Sequence, residues 1–137
     1  MHILVIPSWY RSDEEPISGI FFRQQAQALQ RSGFQVGVIY PHLRSLRLLR
    51  NQRTNLRPRV TWVMDQGVAT YRYEGWSLLP GFPQVFHRNW VRLGKLLFKQ
   101  YVERFGMPDL IHAHSVIHGG VLAAQLQAEY GLSLIHI

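Results

Sequence analysis

The sequence predicts an α/β domain of the doubly wound, Rossmann-like kind, in which helices cover a parallel β-sheet. Short apolar runs alternate with longer stretches in which apolar residues recur every three or four positions, a pattern typical of βαβ units. Glycine or proline ends several of these runs. In addition, 47% of the 137 residues are hydrophobic and 17% are charged, so the chain can bury a core.

The first part of the chain predicts two strands around one helix. Each apolar run is short, as in a buried parallel strand, and proline closes both runs. In the helix, Phe22, Ala26 and Leu29 share one face. Gly33 is expected to end the helix by adopting a left-handed backbone conformation. These elements are a strand at His2–Ile6, a loop at Pro7–Ser18, a helix from Gly19 and a strand at Phe34–Tyr40 that Pro41 closes.

The second part repeats the alternation of strand and helix. A turn at Asp65-Gln66-Gly67 separates two strands, and Gly106-Met107-Pro108 ends a long helix. Gly131 stops the last helix. The elements are strands at Val60–Met64 and Val68–Tyr73, a helix at Gln84–Phe105, a strand at Asp109–His114, a helix at Gly119–Tyr130 and a strand that begins at Leu132.

Positive charge is concentrated between Leu43 and Arg59, a segment with six arginines and no acid. Without it, the net charge of +7 falls to +1. As a helix, this segment has an imperfect basic amphipathic pattern, which fits contact with anionic lipid headgroups or an anionic substrate, or a solvated surface segment. Nucleic acid is disfavoured, because stacking aromatic residues are missing. The candidate contact residues are Arg44, Arg47, Arg50 and Arg53.

Two places lie where loops leave the carboxyl ends of predicted strands, the edge at which open parallel sheets bind ligands. At the first, Ser18 is positioned to cap a helix, and Gly19 allows a ligand to approach the free N–H groups of that helix. This pattern indicates either a weak anion-binding site or simply a tight turn. Neither a dinucleotide fingerprint nor a Walker loop occurs in the chain. We therefore predict no cofactor.

The second place is the segment from Pro108 to Gly120. His112 and His114 share one side of the strand, and His114 lies nearest the ligand-bearing end. A neutral imidazole there can bond a sugar hydroxyl or take a proton. We favour a functional role for His114. For His112 a core role is the stronger interpretation, and substrate binding is the alternative. The further candidate substrate-binding residues are Ser115, Gly119 and Gly120.

Other chemistries find little support in the sequence. His112, His114 and His118 suggest zinc, but no cysteine or nearby carboxylate completes the set, so no metal is predicted. The absence of cysteine also excludes disulfides and thiolate catalysis. No Gly-x-Ser-x-Gly elbow is present. The lack of cysteine fits a location in the reducing cytoplasm. No apolar run reaches the length of a membrane-spanning helix.

The motifs and their order resemble the amino-terminal domain of retaining, family 4-like GT-B glycosyltransferases, a group that includes bacterial exopolysaccharide and lipid-linked glycan enzymes. The resemblance covers most of the chain and is weakest at 43–59 and 75–99. The segments that carry it are Ile6–Tyr10, Pro16–Phe22, Gln25-Ala26, Gly33, Gly67-Val68, Tyr71-Arg72 and Pro108–Ser115.

The resemblance implies an acceptor-binding domain that faces a second domain holding a nucleotide-sugar. Gly19 would then approach the donor diphosphate, and His114 would approach the transferred sugar as the catalytic residue. The implied partners are a nucleotide-sugar donor and a glycan or lipid-linked acceptor, with no required metal. The family usually has proline where Ser133 stands and a Thr-Glu-His-like end after it, and this chain departs from both.

On this resemblance we expect residues 1–137 to be part of the amino-terminal domain, without the nucleotide-sugar domain and inactive by themselves. The expected location is cytoplasmic, with peripheral contact to the inner face of the membrane. The alternative is a non-catalytic module that uses residues 43–59 to dock on anionic membrane or nucleic acid, with the α/β core as a scaffold.

Overall fold

The computed structural model describes residues 1–11, 17–45, 57–77 and 81–136. Their strands form one six-stranded sheet in the order β3-β4-β2-β1-β5-β6. The strands are β1 His2–Pro7, β2 Gln35–Ser45, β3 Arg59–Asp65, β4 Val68–Ser77, β5 Leu110–His114 and β6 Ser133–His136. The helices are α1 Ile20–Arg31, α2 Pro83–Phe105 and α3 Val121–Tyr130.

The central strand is β1, which pairs in parallel with β2 on one side and β5 on the other. All six of its residues are buried, as expected for a strand covered on both faces. The pairs β2–β4 and β5–β6 are also parallel. These features confirm the predicted Rossmann-like α/β fold.

The helices lie on opposite faces of the sheet. Right-handed crossovers that run outward from β1 to β2 and back from β4 to β5 must pass over different faces. The contacts agree, because Phe22 of α1 lies against His114 while Tyr101 of α2 packs edge-on against Tyr71. We call these sides the α1 face and the α2 face. Strand alternation places Thr70 and Arg72 on the α1 face, opposite Tyr71.

One strand departs from the predicted parallel arrangement. β3 pairs antiparallel with β4 at the edge of the sheet. Gln66 and Gly67 both have positive φ, 50° and 85°, which is the conformation of a tight primed hairpin turn. The turn was predicted at this position, and the hairpin that it forms makes the sheet mixed rather than wholly parallel.

The sequence predicted that Pro41 ends the second strand, and this prediction was wrong. β2 continues to Ser45, which pairs with Ser77 of β4. The pairing of β2 with β1 ends at Val38, so Pro41 interrupts no described pairing between these two strands.

This longer strand also corrects the helical interpretation of residues 43–59. Leu43, Arg44 and Ser45 lie in β2, and Arg59 lies in β3. Pairing with β4 therefore determines the backbone conformation at both ends of the segment. Residues 46–56 lie outside the described part of the chain.

The core above β2 depends on a glycine. Gly37 faces α2, and an added Cβ there would lie 2.1 Å from the Tyr101 hydroxyl. That hydroxyl is 2.5 Å from His2 Nε2, a buried hydrogen bond between α2 and β1. The absence of a side chain at Gly37 therefore allows helix and sheet to approach closely.

We predict that Gly37→Ala lowers the free energy of unfolding by about 2–4 kcal/mol, because Tyr101 must shift and its bond to His2 weakens. Chemical denaturation measures this loss. The matched control is Gly81→Ala, since an added Cβ at Gly81 meets no atom of the described residues within 4 Å. The control should change stability by less than about 0.5 kcal/mol. Equal effects of the two substitutions would contradict the packing argument.

Candidate functional site

The carboxyl ends of β1, β2 and β5 meet beside the start of α2 and enclose a cavity of about 580 Å³. This edge of the sheet is the one at which ligands bind in open α/β folds. We call this space the carboxyl-edge cavity. Its walls combine aromatic rings and aliphatic side chains with two serine hydroxyls. They include Ser8, Trp9, Trp90, Ser115, Ile117 and His118.

The Ser8 hydroxyl joins the end of β1 to the turn after β5. It accepts the Gly119 N–H at 3.0 Å, lies 2.6 Å from the Ser115 hydroxyl and lies 2.5 Å from the Ile117 carbonyl oxygen. These partners are more than 100 residues away in the chain. Ser8 therefore links two strand ends that the sheet alone would leave as separate loops.

The turn that Ser8 holds has an unusual backbone. Ser115 has φ 69° and ψ 146°, and His118 has φ 60° and ψ −78°. Such angles cost a residue with a side chain on the order of 1–3 kcal/mol. Backbone strain of this kind clusters at ligand-binding and catalytic sites. The hydrogen bonds of Ser8 and Ser115 offset part of this cost.

His114 lies at the carboxyl end of β5 and is only 3% exposed. Its ring contacts Phe22, with centroids 4.3 Å apart, and His112, with centroids 4.5 Å apart. The two histidines therefore share one face, as predicted. Neither ring nitrogen of His114 has a hydrogen-bond partner among the described residues.

Burial lowers the pKa of His114 to about 4, and the neighbouring His112 adds to the shift. The imidazole is therefore neutral at pH 7, so it can donate one hydrogen bond and accept another. Burial also lowers the pKa of His112. Phe22, which itself contacts Trp9, separates the His114 ring from solvent.

His118 belongs to an aromatic cluster at the cavity wall. Its Nδ1 lies 2.8 Å from Nδ1 of His87, so one of the two imidazoles donates to the other. Its ring also stacks on Trp90 and meets Phe86 edge-on. Burial lowers the pKa of His118, and His87 adds to this shift.

The start of α1 differs from the prediction for Ser18. Gly19, and not Ser18, occupies the residue before the helix, and no side chain caps it. Gly19 has φ 68°, and an added Cβ would lie 2.7 Å from the Trp9 carbonyl oxygen. Glycine has no side chain that could cap the helix, and Ser18 lies one residue further from the helix start. Ser18 itself is half-buried.

The glycines after β5 are engaged within the turn. Gly119 N–H donates to Ser8, and Gly120 N–H donates to the Ser115 carbonyl oxygen at 2.9 Å. An added Cβ at Gly119 would lie 2.7 Å from the Ile6 carbonyl oxygen. Close packing against the chain's own backbone therefore explains Gly119, and substrate binding by Gly119 and Gly120 stays a prediction.

Of the four candidate arginines, the structure describes only Arg44. It lies in β2 with its guanidinium 5.8 Å from the Trp76 ring centroid. Arg47, Arg50 and Arg53 lie outside the described residues. Contact of this segment with an anionic surface stays a prediction.

The described residues contain no group of three or more histidine, aspartate or glutamate side chains arranged to hold a metal ion. In the same described ranges, no helix is both long and apolar enough to cross a bilayer.

Sequence reasoning missed several residues that line the cavity and come from distant parts of the chain. Ser8, Trp9 and Trp90 follow no periodic pattern that marks a site, although Ser8 and Trp9 belong to one of the segments that carry the resemblance. Phe22 was assigned to the apolar face of α1, and its contact with His114 depends on the packing of α1 over the end of β5.

The chain is similar to a curated protein and to solved structures. The chain is 30% identical, over 98% of its length, to the Bacillus subtilis (strain 168) protein named "Putative teichuronic acid biosynthesis glycosyltransferase TuaC". It also superposes on the catalytic domain of starch synthase IV from Arabidopsis thaliana, solved with ADP and acarbose. That match has a TM-score of 0.61 and 19% identity, and covers 99% of this chain. No family model matches the sequence.

The chain is thus related in sequence to a glycosyltransferase along nearly its whole length. Its Rossmann-like fold matches part of the starch synthase chain. It spans 36% of the length of TuaC and 33% of the starch synthase chain.

We predict that Ser8→Ala lowers the free energy of unfolding by about 1–3 kcal/mol, because the Gly119 N–H loses its acceptor beside a strained turn. Thermal or urea unfolding measures the effect. Ser32→Ala is the matched control, since its hydroxyl bonds the Ala28 carbonyl oxygen at an exposed site. A loss in the Ser8 variant no greater than in the control would show that Ser8 does not hold the turn.

Stability should fall as the pH drops from 7 towards 4. Between pH 6.5 and about 4 the unfolded chain protonates His114 while the folded chain does not, so acid favours unfolding by up to about 1.4 kcal/mol per pH unit. Urea unfolding at pH 7, 6 and 5 measures this slope. His114→Gln should make it shallower, while His2, His112 and His118, whose pKa values are also lowered, still contribute. An unchanged slope would refute a buried neutral His114.

Proposed function

We propose that this chain is the acceptor-side part of a glycosyltransferase that moves a sugar from a nucleotide-sugar to a glycan or lipid-linked acceptor. The observation that carries the proposal is the 30% identity to a protein named as a glycosyltransferase, over 98% of this chain. The position of the carboxyl-edge cavity supports it, because ligands of this fold class bind at that edge.

His114 is the residue that we assign to the reaction. Its neutral imidazole has two ring nitrogens without partners among the described residues. A buried unpaired polar group costs about 1–3 kcal/mol, and a sugar hydroxyl that bonds to it would recover that cost. The ring would thereby hold the transferred sugar in place. For a ligand to reach the ring, Phe22 and Trp9 must first move aside.

The remaining roles follow from the resemblance and from the local geometry. We propose that Gly19 approaches the donor diphosphate, and that Ser18 and Ser115 contact substrate. The anomeric configuration would be retained, and no metal would be required. Most groups that bind the donor phosphates would belong to a second domain, so the 137 residues by themselves should transfer no sugar. We also propose that the protein works in the cytoplasm, at the inner face of the membrane.

A chimera tests this proposal directly. The chain replaces the segment of TuaC to which it aligns, and radiolabelled sugar is followed from UDP-hexoses to lipid-linked acceptors. We expect the chimera to transfer sugar and His114→Ala to lower kcat by about 100-fold, within the range for one positioned catalytic group. The matched control, Ser32→Ala, should retain the full rate.

Two outcomes would contradict the proposal. One is an active chimera in which His114→Ala has no effect, since His114 would then not contact the transferred sugar. The other is transfer by the 137-residue chain alone, because that would remove the need for a second domain.

A further inference from the structure

A second cavity, of about 320 Å³, lies on the α1 face between α1, the β3–β4 hairpin and the segment that follows β1. It shares no lining residue with the carboxyl-edge cavity. Its lining is rich in arginine. The polar residues in it are Tyr10, Arg11, Arg23, Asp65, Thr70 and Arg72, and Val63 and Met64 complete it. We call it the arginine cavity.

One arginine of this cavity is already neutralised. Arg23 donates from Nε and from a terminal nitrogen to the two carboxylate oxygens of Asp65, at 2.6 and 2.7 Å. Gln27 also contacts Asp65, at 3.3 Å. Asp65 is therefore engaged by two side chains, and among the described lining residues it is the one acid.

The other two arginines keep their charge. Among the described residues, neither Arg11 nor Arg72 forms an ion pair. A terminal nitrogen of Arg72 donates to the Arg11 carbonyl oxygen at 2.5 Å, which holds the two residues together. The Nε of Arg72 is buried and has no partner among the described residues. Within the described part of the chain, the cavity thus has two arginines without a carboxylate partner.

Tyr10 adds a neutral donor. The side chain is 3% exposed. Its hydroxyl interacts with that of Thr70, and no described residue accepts its proton in a short, well-aligned hydrogen bond. Burial raises the pKa of this phenol to about 12, so the proton stays in place at neutral pH. Thr70, on the same face as Arg72, provides a further hydroxyl in the lining.

We infer that the arginine cavity is an oxyanion site, which binds the phosphate group of a small phosphate monoester through Arg11, Arg72 and the Tyr10 hydroxyl. Buried donors without acceptors are costly, and an anion would supply all of them with acceptors at once. Charge-assisted bonds from guanidinium to phosphate are among the stronger hydrogen bonds in proteins. The volume leaves room for a small organic group beside the phosphate.

The site does not depend on the proposed transfer reaction. It lies on one face of the sheet and is assembled from side chains that the reaction as proposed above does not use. A failure of sugar transfer would therefore leave the oxyanion site unaffected, and the reverse also holds.

Titration of the 137-residue chain with inorganic phosphate and with glucose 1-phosphate, at constant ionic strength in chloride buffer, tests the site. We expect saturable binding, which Arg72→Gln weakens about tenfold or more. Tyr10→Phe, which keeps the buried ring and removes only the O–H, should weaken binding about threefold to tenfold. The Tyr10 variant decides the matter if Arg72→Gln does not fold.

The matched control is Arg31→Gln, which removes the same charge from an exposed position in the last turn of α1. It should leave the Kd within about twofold of the parent chain. Tighter binding of glucose 1-phosphate than of inorganic phosphate assigns the site to an organic phosphate, whereas equal affinity assigns it to the free anion. The inference is overturned by an absence of saturable binding, or by equal weakening in Arg31→Gln, Arg72→Gln and Tyr10→Phe.

Discussion

The hydroxyl of Ser8 connects the end of the central strand to the turn that follows β5. It meets the Gly119 N–H, the Ser115 hydroxyl and the Ile117 carbonyl oxygen within 3.0 Å. Each such bond contributes only about 1 kcal/mol net. Together they keep Ser115 and His118 at backbone angles that the chain would otherwise avoid. The shape of the carboxyl-edge cavity depends on this junction.

Because side chains alternate along each strand, the two faces of the sheet carry different kinds of residue. The α1 face of β4 and β5 carries Thr70, Arg72, His112 and His114, so polar and ionisable groups lie beneath α1. The α2 face is aromatic, since Tyr71 packs against Tyr101 and Phe105. Phe86 and Trp90 of α2 line the carboxyl-edge cavity, whereas the arginine cavity lies on the α1 face. One sheet thus supports an aromatic site and a cationic site.

The fold could be predicted well because its signals are local. The periodicities of α1 and α2 lie within single segments, and Gly33 has the predicted positive φ. Predictions failed where a distant partner decides the structure. Pairing with β4 carries β2 past Pro41, and at residues 43–45 it overrides the helical pattern.

The site was predictable only in part, for the same reason. The position of His114 follows from alternation and from the end of an apolar strand. Ser8 could not be assigned a role, because its partners lie more than 100 residues away. The cover that Phe22 places over His114 likewise depends on how α1 packs on the sheet.

The central claim is that sugar substrates bind at the carboxyl edge around Ser8 and His114. Backbone and imidazole NMR shifts of the 137-residue chain, followed during titration with UDP-glucose and UDP-N-acetylglucosamine, test it most directly. We predict saturable shifts at Ser8, His114, Ser115 and Gly119, with His2 at the opposite edge unchanged. Saturable shifts confined to that opposite edge, or no shifts at tens of millimolar ligand, would contradict it.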